Sequence, residues 1–139
     1  PERRRLEREA SRLGMRERVF FLGWQADSGR ILSALDVLLA PSLAEGFGMV
    51  VLEAMARGVP VLASQTGALP EIVVDGATGI LVPPGDPDAL AREMDHLIRD
   101  PILLKRLGNA GKERAQSEFG LDRMVAATAA LYARALRLW

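Results

Sequence analysis

The segment Pro41–Ser64, PSLAEGFGMVVLEAMARGVPVLAS, constrains the fold more than any other part of the chain. It follows the apolar run Val37-Leu38-Leu39-Ala40, stopped by Pro41, and it ends in a second run, Val59-Pro60-Val61-Leu62-Ala63. Between them lie a loop, Ser42 to Gly46, and a helix from about Phe47 or Gly48 to Arg57, closed by Gly58. Short apolar runs without polar alternation read as strands buried on both faces, which belong to parallel sheets covered by helices on each side. The fold class is therefore α/β with a parallel sheet.

The rest of the chain repeats this alternation. Val19-Phe20-Phe21-Leu22, closed by Gly23, reads as a further buried strand, and Gly79-Ile80-Leu81-Val82 as the last, stopped by Pro83-Pro84. Leu6, Ala10 and Leu13 mark one helical stripe, and Ile31, Leu32 and Leu35 another, capped by Asp27 or Ser28. Leu69–Val74 reads as one short helical turn. The last third is helical: Asp86-Pro87 opens a helix bearing Leu90, Met94, Leu97 and Ile98. A second runs from about Ile102 to Ser117. A third, from about Asp122 to Arg137, carries an inward stripe of Met124, Thr128, Leu131 and Ala135.

Charge and composition narrow the function classes. Eighteen basic residues balance eighteen acidic ones, so the overall charge suggests neither a nucleic-acid partner nor an anionic membrane. The arginines of Glu2–Arg18 alternate with glutamates and read as a solvated helix face. With no cysteine, disulfides, thiolate catalysis and Cys-ligated metals are excluded. No apolar run reaches the ~20 residues of a membrane span, and the expected location is the cytoplasm. His96, the single histidine, lies opposite the Leu90/Met94/Leu97 stripe and reads as a surface residue.

Chemistry concentrates in Glu45-Gly46-Phe47-Gly48. In an open parallel sheet, ligands bind at the carboxyl ends of strands, where the next helix points its N-terminus at the site. Glycines let backbone approach a ligand, and the N–H groups of Gly48, Met49 and Val50 would face a phosphate. Two carboxylates flank the loop, Glu45 before the helix and Glu53 on its second turn, with seven residues between them. Two readings of Glu53 stand level: it holds a ribose diol, or it pairs with Arg57 four residues on.

This stretch resembles the Glu-x7-Glu motif of the family 4 retaining glycosyltransferases (glycosyl transferases group 1). The resemblance continues in Pro60-Val61, in Gly67-Ala68-Leu69-Pro70-Glu71, in Asp75-Gly76, and through Gly79–Asp86. It implies a Rossmann-like C-terminal domain of the two-domain GT-B fold, binding a nucleotide-sugar as substrate with no cofactor and no metal. By the same resemblance, Glu53 matches the carboxylate that holds the ribose. Glu45 matches the catalytic position against hydroxyls of a hexose-type donor sugar. Gly46, Phe47 and Gly48 match the loop that meets the sugar, and Met49 and Val50 the amides that bind the distal phosphate. Leu22, Gly23 and Trp24 match the turn near the nucleobase.

Departures from the family pattern are also legible. Gly67-Ala68 stands where the family has Gly-Gly, a change expected to narrow a backbone turn. Phe119-Gly120-Leu121 replaces Phe-Ser-Trp, weakening an aromatic anchor. Glu71 reads as structural, capping or pairing within its turn. Residues 1–139 are expected to form a partial donor-binding domain. Two central strands, the Arg and Lys that clamp the diphosphate, and the N-terminal acceptor domain would lie upstream of Pro1. The chain alone is then expected to be inactive and poorly stable, with any peripheral membrane contact left to the acceptor domain. Other readings are a sugar-nucleotide epimerase or another enzyme of the same fold, and a non-catalytic nucleotide-binding module.

Overall fold

The computed structural model describes residues 2–136. Three strands form its sheet: Leu38–Ala40 (β1), Val61–Ser64 (β2) and Ile80–Val82 (β3). They run parallel in the order β1-β2-β3, with Leu38 beside Val61 and Leu62 beside Ile80. A parallel pair needs a crossover that returns the chain to the same end. The helix Met49–Ala56 (α3) serves β1 and β2, and the single turn Leu69–Ile72 (α4) serves β2 and β3.

Side chains alternate across the central strand. Val61 and Ala63 enter one apolar cluster with Val51, Met55, Leu69 and Ile72, whereas Leu62 enters another with Val82, Leu97 and Leu107. Both faces of the sheet are thus covered, as runs without polar residues require. Helices Pro87–Arg99 (α5) and Pro101–Phe119 (α6) complete the cover. Asp86 and Asp100 start them, each accepting a backbone N–H three residues on, at 2.8 and 2.9 Å. α6 reaches both clusters, placing Leu107 in one and Ala115 in the other. Gly108 permits that approach, because a Cβ there would overlap the carbonyl oxygen of Gly58. On α5, Leu97 is fully buried, whereas Met94 and Ile98 of the expected stripe are exposed. His96 is exposed, as expected of a surface histidine.

The helix Ser28–Leu32 (α2) begins at Asp27, whose carboxylate accepts from the Arg30 N–H at 3.2 Å, and it buries Leu32. The flanking helices differ. Glu2–Arg12 (α1) and Leu121–Leu136 (α7) form, yet neither has a buried residue. The expected inward stripe of α7 is therefore corrected: Met124, Thr128, Leu131 and Ala135 are all exposed, because no described element packs over them. The predicted end of that helix, Arg137, lies outside the described residues.

The predicted strand Val19–Leu22 is likewise corrected. The segment is irregular, with Phe20 76% exposed. A helix satisfies its own backbone, whereas a strand depends on a neighbour, and none lies beside this segment among the described residues. Arg3 of α1 holds the segment instead, donating to the Phe21 carbonyl at 3.1 Å and lying over the Phe21 ring. Among the described residues, no helix is long and apolar enough to cross a membrane.

Candidate functional site

The loop that leaves β1 climbs through Pro41–Phe47 to Gly48, the N-cap of α3, where φ is +89°. No side chain caps this helix, unlike α2, α5 and α6, each of which uses an aspartate. The N–H groups of Gly48, Met49 and Val50 have no hydrogen-bond partner among the described residues. Met49 and Val50 are exposed and Gly48 is buried, and the three unpartnered N–H groups lie at the positive end of the helix dipole.

The two carboxylates take separate partners. Glu45 is half-buried and folds onto its own loop, accepting from the Gly46 N–H at 3.1 Å and from the Ser42 hydroxyl at 3.4 Å. Glu53 is also half-buried and accepts from the Ser28 hydroxyl at 3.4 Å. Arg57 does not pair with the Glu53 carboxylate; its guanidinium donates to the Glu53 backbone carbonyl at 2.8 Å. The surface-pair reading of Glu53 therefore fails, and its carboxylate keeps acceptor capacity beyond the single serine contact.

Leu22, Gly23 and Trp24 sit apart from this loop in their contacts. Gln25 donates to the Leu22 carbonyl at 2.8 Å, Gly23 turns at φ +69°, and Trp24 is 87% exposed. An open cavity of about 840 Å³ lies between α1 and residues 16–21. Another, of about 200 Å³, lies at the strand ends between Pro41, Ser64 and Pro83. Glu45 and Glu53 line neither of them.

The segment after β2 bears on the site more than its sequence suggested. Thr66 donates from Oγ1 to the Leu43 carbonyl at 3.3 Å. Gly67, at φ +54°, passes so close to Glu45 that a Cβ would overlap the Glu45 carbonyl oxygen. Ala68 has φ −81°, an ordinary right-handed conformation that tolerates a Cβ, so only the first glycine of the pair is needed. Glu71 is corrected too. Its carboxylate makes no hydrogen bond or ion pair among the described residues, while its backbone carbonyl accepts from Arg114 at 2.8 Å. Phe119, despite the changed motif around it, packs on the first cluster beneath the Arg114 guanidinium.

A parallel sheet covered by helices on both faces, with α3 as its first crossover, is of the Rossmann-like class. Residues 1–114 match the family described as glycosyl transferases group 1, and the chain belongs to that family. It is 44% identical over 135 residues to the D-inositol 3-phosphate glycosyltransferase of Streptomyces bingchenggensis, spanning 96% of this chain and 30% of that protein. Among solved structures it is similar to the sucrose-phosphate synthase of Thermosynechococcus elongatus, with TM-score 0.90, 36% identity, and coverage of 99% and 35% of the two chains. It also resembles Anabaena Alr3699/HepE solved in complex with UDP, with TM-score 0.91, 30% identity, and coverage of 94% and 36%. The chain thus spans about a third of the length of these relatives.

Proposed function

We propose that residues 1–139 are the donor-binding part of a retaining glycosyltransferase. The reaction moves a hexose-type sugar from a nucleotide-sugar to an acceptor held by another domain of the same protein. The observation that carries this reading is the set of unpartnered amides at Gly48, Met49 and Val50, flanked by Glu45 and Glu53 in a group 1 chain. As the anomeric C–O bond breaks, negative charge grows on the leaving diphosphate. Fixed N–H dipoles at a helix N-terminus stabilise that charge without rearranging. Glu53, with its free acceptor capacity, holds the ribose hydroxyls, and Glu45 orients the donor sugar through its hydroxyls. Gly46 and Phe47 bring backbone against the sugar, and the Leu22-Gly23-Trp24 turn lies towards the base. The relative crystallised with UDP supports a nucleoside diphosphate as the common part of the ligand.

Calorimetric titration of UDP, GDP and UDP-glucose into the chain tests the binding half of the reading. Saturable binding of a diphosphate, lost on Glu53→Gln, is the expected result. Absence of binding by all three up to about 1 mM would reject it. In the longer protein, Glu45→Ala should lower kcat for sugar transfer more than it raises KM, because Glu45 acts near the reacting carbon.

A further inference from the structure

We propose that Thr66 and Gly67 are positioning residues that hold the Glu45–Gly48 loop in its donor-facing shape from the neighbouring strand. The inference rests on the donor reading above and deepens it: control over the sugar half of the ligand lies partly on β2. Ala40 at the end of β1 pairs with Ala63 in β2, so the segments leaving the two strands emerge side by side. Within 41–47, the polar contacts of the Glu45 side chain, with Ser42 and with Gly46, are internal to the loop. The hydrogen bond from Thr66 Oγ1 to the Leu43 carbonyl is the one that reaches this loop from outside, among the described residues.

Steric contacts reinforce that bond in both directions. A Cβ on Gly67 would overlap the Glu45 carbonyl oxygen and stand 2.8 Å from the carbonyl carbon. Conversely, a Cβ on Gly48 would stand 2.5 Å from Leu69 Cδ2, and Leu69 is fully buried. Both glycines also have positive φ, so each is fixed twice, by conformation and by contact. Two backbones in such contact cannot shift independently. Displacing Gly67 displaces the residue that bears the Glu45 carboxylate, and loosening Thr66 frees the loop to move away from the α3 amides.

Nitrogen-15 relaxation on the full chain, compared across wild type, Thr66→Val, Thr66→Ser and Gly67→Ala, reads the loop directly. In Thr66→Val the order parameters of Gly46, Phe47 and Gly48 should fall from the rigid range near ~0.85 to below ~0.6, while those of Leu62 and Ala63 stay unchanged. UDP-glucose affinity should fall about fivefold, with UDP affinity falling less, and Thr66→Ser should restore both. Gly67→Ala should produce the larger loop effect; if it fails to fold, the two Thr66 variants decide alone. Unchanged loop order parameters in Thr66→Val, or equal loss in the loop and β2, overturns the positioning role. A wild-type chain that binds neither UDP nor UDP-glucose, but shows the loop response, overturns the donor reading and leaves the positioning role standing.

Discussion

The middle of the chain and its two flanks carry similar apolar patterns and meet opposite fates. In the middle, Met55, Val61, Leu62, Leu69 and Leu97 are fully buried. On the flanks, Trp24 is 87% exposed and Leu136 77%, the helical stripe of α7 faces outward, and on α1 Leu6 is exposed and Ala10 half-buried. Periodicity encodes which residues share a face, but burial depends on what the chain brings to that face. α1 and α7 form because an α-helix bonds within itself. Val19–Leu22 is wholly apolar and stays irregular, since a strand makes its backbone hydrogen bonds to neighbouring strands.

The largest expected contrast comes from paired truncations. Met55→Ala should lower the unfolding free energy by about 2–5 kcal/mol, since it empties a fully buried site between α3 and α6. Urea denaturation monitored by circular dichroism measures it, and a loss under about 1 kcal/mol would break the contrast. Next, on the ribose-binding role proposed for Glu53, Glu53→Gln should weaken UDP binding by about 1.5–3 kcal/mol with little change in the denaturation midpoint. Asp86→Ala removes the cap on Ala89 at the start of α5 and should destabilise by about 1 kcal/mol in the same denaturation assay. At the small end, Leu131→Ala on α7 should fall within about 0.5 kcal/mol of wild type. A larger loss there would show that the apolar stripe of α7 is covered in solution, for which sedimentation would reveal self-association.

The legible part of the fold was the part whose cause is local or repeated. Val37–Ala40, Val59–Ala63 and Gly79–Val82 anticipated β1, β2 and β3 to within two residues, because each short apolar run finds a parallel neighbour to pair with. Asp86-Pro87 anticipated α5 to the residue. For the candidate site, the loop glycines and the amides of Gly48, Met49 and Val50 were visible, since a strand-loop-helix junction puts the helix start at the strand ends. Whether Arg57 pairs with the Glu53 carboxylate was not. It depends on whether a guanidinium turns to a carboxylate or to the carbonyl of the same residue, and no spacing rule separates those. Nor was the contact of Gly67 with Glu45, which joins loops 22 residues apart in sequence. Its signal was present only as a glycine flanked by Thr66 and Ala68, and its meaning required the register of Ala40 with Ala63.

The meshing of those two loops bears on how such domains can be recombined. Grafting Pro41–Gly48 from another member of the glycosyl transferases group 1 family transplants one half of an interlocked pair. If the incoming loop follows a different path past residue 67, a host glycine shaped to the Glu45 carbonyl leaves a gap or a collision. The transferable unit is then Pro41–Gly48 together with Thr66–Leu69, exchanged as a pair across β1 and β2 with α3 left in place.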